Sequence, residues 1–319
     1  MKIVRSILII GVLLSMSAFG YYQYKNPEKQ ALGDSARTSA TGAFAKLSAG
    51  TTHYEVAGPD NGRVAVLVHG FSVPSYIWDP TFAALGDAGY KVIRFDLYGR
   101  GLSDRPDAAY DGQFYDTQID DLLAALNVKQ PVDLFGLSFG GYVVAHYAAT
   151  HPQKIRTITL VDPSNSRAQL PWHRTVPGLG SYLFQVDELP GKAEGQSSDF
   201  LHPEQFPGWA ERYRPQMTYI GFGRALRRSS LRLATADFEG IYTAIDKAEI
   251  PVLLVWGRQD KVVPIAGAEN IKRFIPKLDF FEIDQSGHLP HMEQPAIFNA
   301  RMLAFLEAHP SVASPIMPK

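Results

Sequence analysis

The strongest constraint on this chain is a series of short apolar runs at regular intervals. "VAVLVHG" (64–70) is uncharged until it ends at a histidine and a glycine, the mark of a strand buried on both faces rather than one. "KVIRFD" (91–96), "PVDLFG" (131–136), "IRTITLVD" (155–162), "PVLLVWG" (251–257) and "LDFFEID" (278–284) read as further strands. Between them lie segments with helical spacing at 76–89, 114–128, 139–151, 267–275 and 295–309. Ile119, Leu122, Leu123 and Leu126, for example, fall on one side of a helix. Strand–helix alternation dictates an α/β protein with a mostly parallel sheet covered by helices on both faces. Ahead of it, "GAFAKLSAG" and "TTHYEVAG" (42–58) predict two antiparallel strands turning near Ala49-Gly50.

The rhythm breaks once. Residues 163–247 contain no convincing buried strand and are rich in proline, aromatics and arginine, with a helical patch over 209–230. They are expected to form an inserted, mainly helical cap over the carboxyl edge of the sheet, where ligands of such sheets bind. The core is then 42–162 together with 248–319. Trp172, Phe184, Trp209, Tyr213, Tyr219 and Phe222 could line an apolar tunnel, though for most of them a small core within the cap is the expectation. Arg224, Arg227, Arg228 and Arg232 follow mostly one helical face and read as a solvated face rather than an anion clamp.

The N-terminus is a different material. Lys2 and Arg5 precede the uncharged run "SILIIGVLLSMSAFG" (6–20), followed by "YYQY" (21–24). A basic start and an apolar centre predict an export segment over 1–24. The run is short for a bilayer span of about 20 residues, yet the tyrosines suit an interface. Both a retained anchor and a cleaved signal therefore stay open, and either leaves the remainder extracytoplasmic. Residues 25–41 are polar and read as a linker.

Balanced charge, 31 Lys and Arg against 32 Asp and Glu, gives no footprint for nucleic acid. The absence of cysteine removes thiolate nucleophiles and Cys-ligated metals from consideration.

Chemistry is concentrated at three places. "GLSFG" (136–140) puts Ser138 at the junction of a strand and a helix, where G-x-S-x-G forms a nucleophile elbow. A serine hydroxyl needs an adjacent base. "DQSGHLPHMEQP" (284–295) offers His288 just past a strand, with His291 three residues on as the weaker candidate. "VLLVWGRQDKVVP" (252–264) places Asp260 shortly after a buried strand, with Asp162 as its rival. Two backbone N–H donors could stabilise a developing oxyanion, those of Phe139 and of Phe71 in "HGFS" (69–72). His69 reads as a packing residue, and Asp96 is expected to pair with Arg100.

These pieces resemble the α/β-hydrolase superfamily. The resemblance rests on "LVHGFS" (67–72), "FDLYGRGLSDRP" (95–106), "GLSFGGYVV" (136–144), "VWGRQDKVVP" (255–264) and "SGHLPHMEQP" (286–295), spread over nearly all of 51–309. It implies a serine hydrolase of the capped esterase or lipase-like branch, with Ser138 as nucleophile, His288 as base and Asp260 as orienting acid, and no cofactor. Relatives that open epoxides or remove halogens have Asp at the nucleophile position, so the serine argues against both reactions. The expected substrate is a carboxylic ester, small or lipid-like. Hydrolysis of a C–C bond in a ring-cleavage product, or a receptor that binds without turnover, are the alternatives.

Overall fold

The computed structural model describes residues 2–167 and 169–310. Its centre is one eight-stranded sheet in the order β1-β2-β4-β3-β5-β6-β7-β8. The strands are β1 (Ala43–Leu47), β2 (Gly50–Ala57), β3 (Val64–Val68), β4 (Lys91–Phe95), β5 (Val132–Leu137), β6 (Ile155–Val161), β7 (Val252–Gly257) and β8 (Asp279–Ile283). β1 and β2 form the predicted hairpin, β2 pairs antiparallel with β4, and every other pairing is parallel.

Alternate residues of the buried strands feed two separate cores, as the pleat requires. Val64, Val66 and Val68 join Leu134, Leu160 and Leu254 on one face, under the helices Gly112–Ala125, Phe139–Thr150, Phe238–Lys247 and Ala268–Phe274. Ala65, Leu67, Phe135 and Leu253 face the helices Asp79–Asp87 and Pro295–Ala308. The second core continues without a gap into the segment between β6 and β7, through Phe184, Trp209, Tyr213 and Phe222. Among its described residues that segment contains helices and turns and no named strand. Four of the six aromatics proposed for a tunnel therefore pack in a core, while Trp172 is 73% exposed.

Local chemistry moves some boundaries. The helix expected over 76–89 opens as a 3₁₀ turn, Ser75–Trp78, and becomes α-helical only at Asp79, with Pro80 in its first turn. A proline is tolerated there because that N–H has no partner within the helix. The patch 209–230 is broken: Trp209–Tyr213 runs into a 3₁₀ turn containing Pro215, and a new helix, Phe222–Leu233, starts after Gly221 at φ 99°.

The N-terminal helix runs from Lys2 to Lys25 with no buried residue. It is long and apolar enough to cross a membrane, a test that signal sequences near an N-terminus also pass. The polar segment behind it is pinned. Lys29 and Gln30 donate backbone hydrogen bonds to the Thr218 carbonyl, Asn26 binds Gln185 at 2.7 Å, and Arg37 pairs with Asp104 at 2.5 Å.

Candidate active site

The strand order reverses around β3, whose neighbours are β4 and β5. In parallel sheets such a reversal opens a crevice at the carboxyl ends. The loop after β3 and the turn after β5 both end there, and the second of these carries Ser138.

Ser138 has φ 51° and ψ −115°, a conformation that costs a non-glycine residue of order 1–3 kcal/mol. Its surroundings impose it. The Ser138 N–H donates to the Val161 carbonyl, and its own carbonyl accepts from Gly141 and Ser164. A Cβ at Gly140 would stand 2.4 Å from the His69 and Val68 carbonyl oxygens, and one at Gly136 would stand 2.4 Å from the Gly140 carbonyl. The small residues around Ser138 thus let β3, β5 and the helix Phe139–Thr150 close on one another.

His288 follows β8 and is buried. The Asp199 carbonyl accepts its backbone N–H at 2.9 Å, and Glu293 accepts the N–H of Gly287 at 2.7 Å. Its Nδ1 lies 2.7 Å from Asp260 Oδ2. Asp260 Oδ1 accepts from the backbone of Val262 at 2.7 Å and Val263 at 3.0 Å. Burial disfavours a charged imidazole, but the hydrogen bond and charge of Asp260 outweigh it, and the His288 pKa is raised.

Asp162 ends β6 beside this pair. One of its carboxylate oxygens, one from Asp260 and one ring nitrogen of His288 all lie within 4.8 Å of one another. The grouping has the composition of a metal site, but 2.7 Å between His288 and Asp260 is hydrogen-bond spacing, and an ion would have to part them. Asp162 is completely buried, accepts one hydrogen bond from Gly257, and its second oxygen has no partner. Burial first, and the Asp260 charge second, raise its pKa well above the carboxylate range.

His291 lies elsewhere. It is buried against Trp78 with its Nε2 at 3.0 Å from the Ile77 carbonyl, and burial pushes its pKa down to about 3. His69 is buried too, its Nδ1 donating to the Gly70 carbonyl and its Nε2 accepting from the Leu97 N–H, with a pKa of about 4. Both are neutral packing residues.

The expected Asp96–Arg100 pair does not form. Asp96 instead accepts from Ser75, His53 and the Leu102 N–H. Arg100 turns the other way and donates to the Phe71 and Tyr98 carbonyls, the Tyr115 hydroxyl and Ser229. Gly99 and Gly101, both at positive φ, reverse the chain between the two. Arg100 thereby holds the loop that carries Phe71.

Ser138 and His288 open into one cavity of about 450 Å³. Phe71, Val73, Ile77, Leu137 and Leu289 give it an apolar wall, and the insertion contributes Glu188, Lys192, Gln196 and Asp199. None of the six aromatics proposed for a tunnel lines it. Burial raises the Asp199 pKa to about 6 and lowers that of Lys192. These polar residues were not singled out from the sequence. The available signal is the glycine- and serine-rich run "GKAEGQSSD" (191–199), which interrupts the helical pattern.

Comparison with known proteins agrees with the fold. A family model described as the alpha/beta hydrolase fold matches residues 64–295. The chain is 27% identical over 289 residues to the AB hydrolase superfamily protein YfhM of Bacillus subtilis, covering 83% of this chain and 97% of that one. It is 27% identical over 257 residues to a pimeloyl-[acyl-carrier protein] methyl ester esterase of Neisseria meningitidis, covering 78% of each. The enol-lactonase of Burkholderia xenovorans superposes with a TM-score of 0.73 at 19% identity, covering 83% of this chain and all of that one. With the fold, the strand-end serine and a family match over most of its length in agreement, the chain belongs to the α/β-hydrolase family.

Proposed function

We propose that the chain is a serine hydrolase that cleaves carboxylic esters through an acyl-enzyme on Ser138. The observation that carries this reading is the 2.7 Å bond between His288 Nδ1 and Asp260, in a cavity that His288 shares with a conformationally strained Ser138. With Nδ1 committed as a donor, Nε2 is the basic nitrogen. It takes the Ser138 proton as Oγ attacks the acyl carbonyl. The resulting oxyanion accepts from the backbone N–H groups of Phe139, at a helix start, and Phe71. The alcohol leaves with the proton from Nε2. Water, deprotonated by the same nitrogen, then attacks the acyl carbon, releasing the acid and restoring Ser138.

The apolar wall favours an acyl group of modest size, and similarity to a methyl ester esterase supports ester chemistry. The helix Lys2–Lys25 is proposed to be a retained anchor. Twenty-four residues rise about 36 Å, and the basic residues before the apolar run keep the hydrolase on the extracytoplasmic side.

Ser138→Ala tests the mechanism. Hydrolysis of chromogenic esters and labelling by a fluorophosphonate should both vanish in a protein that still folds. Labelling that persists would overturn the assignment. Turnover of a ring-cleavage product without ester turnover would redirect the same residues to C–C hydrolysis, and binding without turnover would point to a receptor. For the anchor, full-length protein should fractionate with membranes and resist release by salt. A mature N-terminus at Tyr21 in a soluble fraction would refute it.

A further inference from the structure

Three arginines of the insertion meet a partner that their sequence neighbourhood does not contain. Arg224, Arg227 and Arg228 line a cavity of about 510 Å³ whose opposite wall includes Tyr22 and Glu28, from the end of the N-terminal helix and the chain just beyond it. The joint is specific. The Tyr182 hydroxyl donates to the Ala18 carbonyl at 3.0 Å, and the Tyr182 and Tyr22 rings stack with centroids 6.2 Å apart. Glu28 accepts from the Gly221 and Gly223 N–H groups at the start of the helix that bears the arginines.

Charge within the cavity is unbalanced. Glu28 is the one carboxylate among its lining residues. Arg228 pairs with Asp107. Arg224 and Arg227 donate to the backbone carbonyls of Arg105 and Arg174, and the Nε of each is buried with no acceptor. Among the described residues, neither guanidinium forms an ion pair with a carboxylate. Two adjacent guanidiniums with unused donors suit an oxyanion that can accept several hydrogen bonds at once, above all a phosphate.

The helix fixes the depth at which this happens. Ala18, which the insertion touches, lies two residues before the end of the apolar run at Gly20, about 3 Å along the axis. The uncharged stretch from Ser6 to Tyr24 rises about 28 Å, close to the hydrocarbon thickness of ~30 Å, so the cavity wall at Tyr22 lies at its edge, against the roughly 5–8 Å occupied by headgroups on each side of a bilayer. Trp172, Leu179 and Ile220, exposed by 73%, 42% and 55%, stand on the same part of the insertion. Leu179 adjoins the lining residue Gly178, and Ile220 is itself in the lining. Exposed apolar side chains around a basic pocket suit a surface that meets both acyl chains and phosphates.

We propose that this cavity binds the phosphate of an anionic phospholipid headgroup, seating the insertion on the membrane surface beside its own anchor. The inference rests on retention of the helix as an anchor, which the intact mass of the membrane-bound protein reports separately. The experiment uses full-length protein in neutral detergent, titrated with dioleoyl-phosphatidylglycerol, dioleoyl-phosphatidylcholine or inorganic phosphate and followed by native mass spectrometry. One phosphatidylglycerol should bind at least tenfold more tightly than phosphatidylcholine or inorganic phosphate, and the preference should shrink with salt. Arg227→Gln, and more fully R224Q/R227Q, should lose it while hydrolysis of a soluble ester is kept. Arg232→Gln, on the same helix but outside the cavity, should keep both. Equal affinity for the two lipids, equal affinity for inorganic phosphate, or an undiminished preference in folded Arg227→Gln would overturn the proposal.

Discussion

Replacing Asp260 with asparagine preserves the size and most contacts of the side chain but removes its charge, while the same change at Asp162 should remove almost nothing. The two carboxylates have oxygens within 4.8 Å. If both were ionised, their repulsion would be about 3.5 kcal/mol at an effective dielectric constant near 20, a factor of several hundred against the doubly charged state. The proton goes to the carboxylate with fewer donors. Asp260 accepts from His288, Val262 and Val263, whereas Asp162 accepts from Gly257 alone. The buried carboxyl with the raised pKa and a single donor is the one expected to hold the proton, so that on the proposed mechanism Asp260 keeps the charge that steadies an imidazolium. Asp260→Asn should lower kcat by roughly 10³–10⁴, or about 4–5.5 kcal/mol. Asp162→Asn, which replaces one neutral group with another, should cost less than about threefold on the same scale. Steady-state hydrolysis of a soluble p-nitrophenyl ester measures both. A hundredfold loss in Asp162→Asn, or a larger loss there than in Asp260→Asn, would refute the assignment of charge.

Other perturbations separate the remaining elements of the site. Because the His288 pKa is raised above the ordinary 6.5 and the neutral imidazole is the base, kcat/KM should fall as pH drops through a midpoint above 6.5. Asp260→Asn should move that midpoint down in the residual activity. Gly140→Ala would set a Cβ 2.4 Å from two backbone oxygens, and overpacking against atoms that cannot yield should cost about 3 kcal/mol, read by urea unfolding. An unchanged midpoint would mean that the elbow is looser than described. Arg100→Lys retains a charge but cannot span four acceptors. It should slow ester hydrolysis about tenfold on the scale of a lost positioning contact, with a drop in Tm, and full activity would remove Arg100 from support of the Phe71 loop.

The core was legible because it obeys short-range rules. Continuous apolar runs such as 64–68 can be satisfied only in the interior of a parallel sheet, and a serine between glycines at a strand end has few structural uses. Legibility failed where the deciding neighbour is remote. The spacing of Asp96 and Arg100 suggested a pair, but the backbone turns at Gly99 and Gly101 send the guanidinium toward Tyr115 and Ser229. Arg232 is exposed, as a solvated face requires, but Arg224 and Arg227 looked solvated too because Tyr22 and Glu28, which share their cavity, are remote in sequence. Glu188, Lys192 and Asp199 carry no periodic signal, since the π, α and 3₁₀ turns that aim them at the cavity are only four or five residues long, too short for a period to register.

One feature of the sheet bears on how such a protein can change. The chain leaves at Val161 and returns at Val252, and β6 and β7 are hydrogen-bonded neighbours in register, Val161 opposite Val255. Because the two strands are parallel, the chain leaves at the carboxyl end of β6 and comes back to the opposite end of β7, the return being made by the helix Phe238–Lys247, which packs in the core. What lies ahead of that helix is a connection whose doubling in length costs only about 0.6 kcal/mol of closure entropy. Ser138, Asp260 and His288 all lie outside it. The part ahead of Phe238 can accordingly be exchanged for another, altering which molecules fit the cavity, while Ser138, Asp260 and His288 stay where the strands put them. Here the exchange would have a second effect, because the same excursion grips the N-terminal helix through Tyr182 and the residue just past its end, Asn26, through Gln185. A graft that changes the cavity would also free the sheet body from the N-terminal helix.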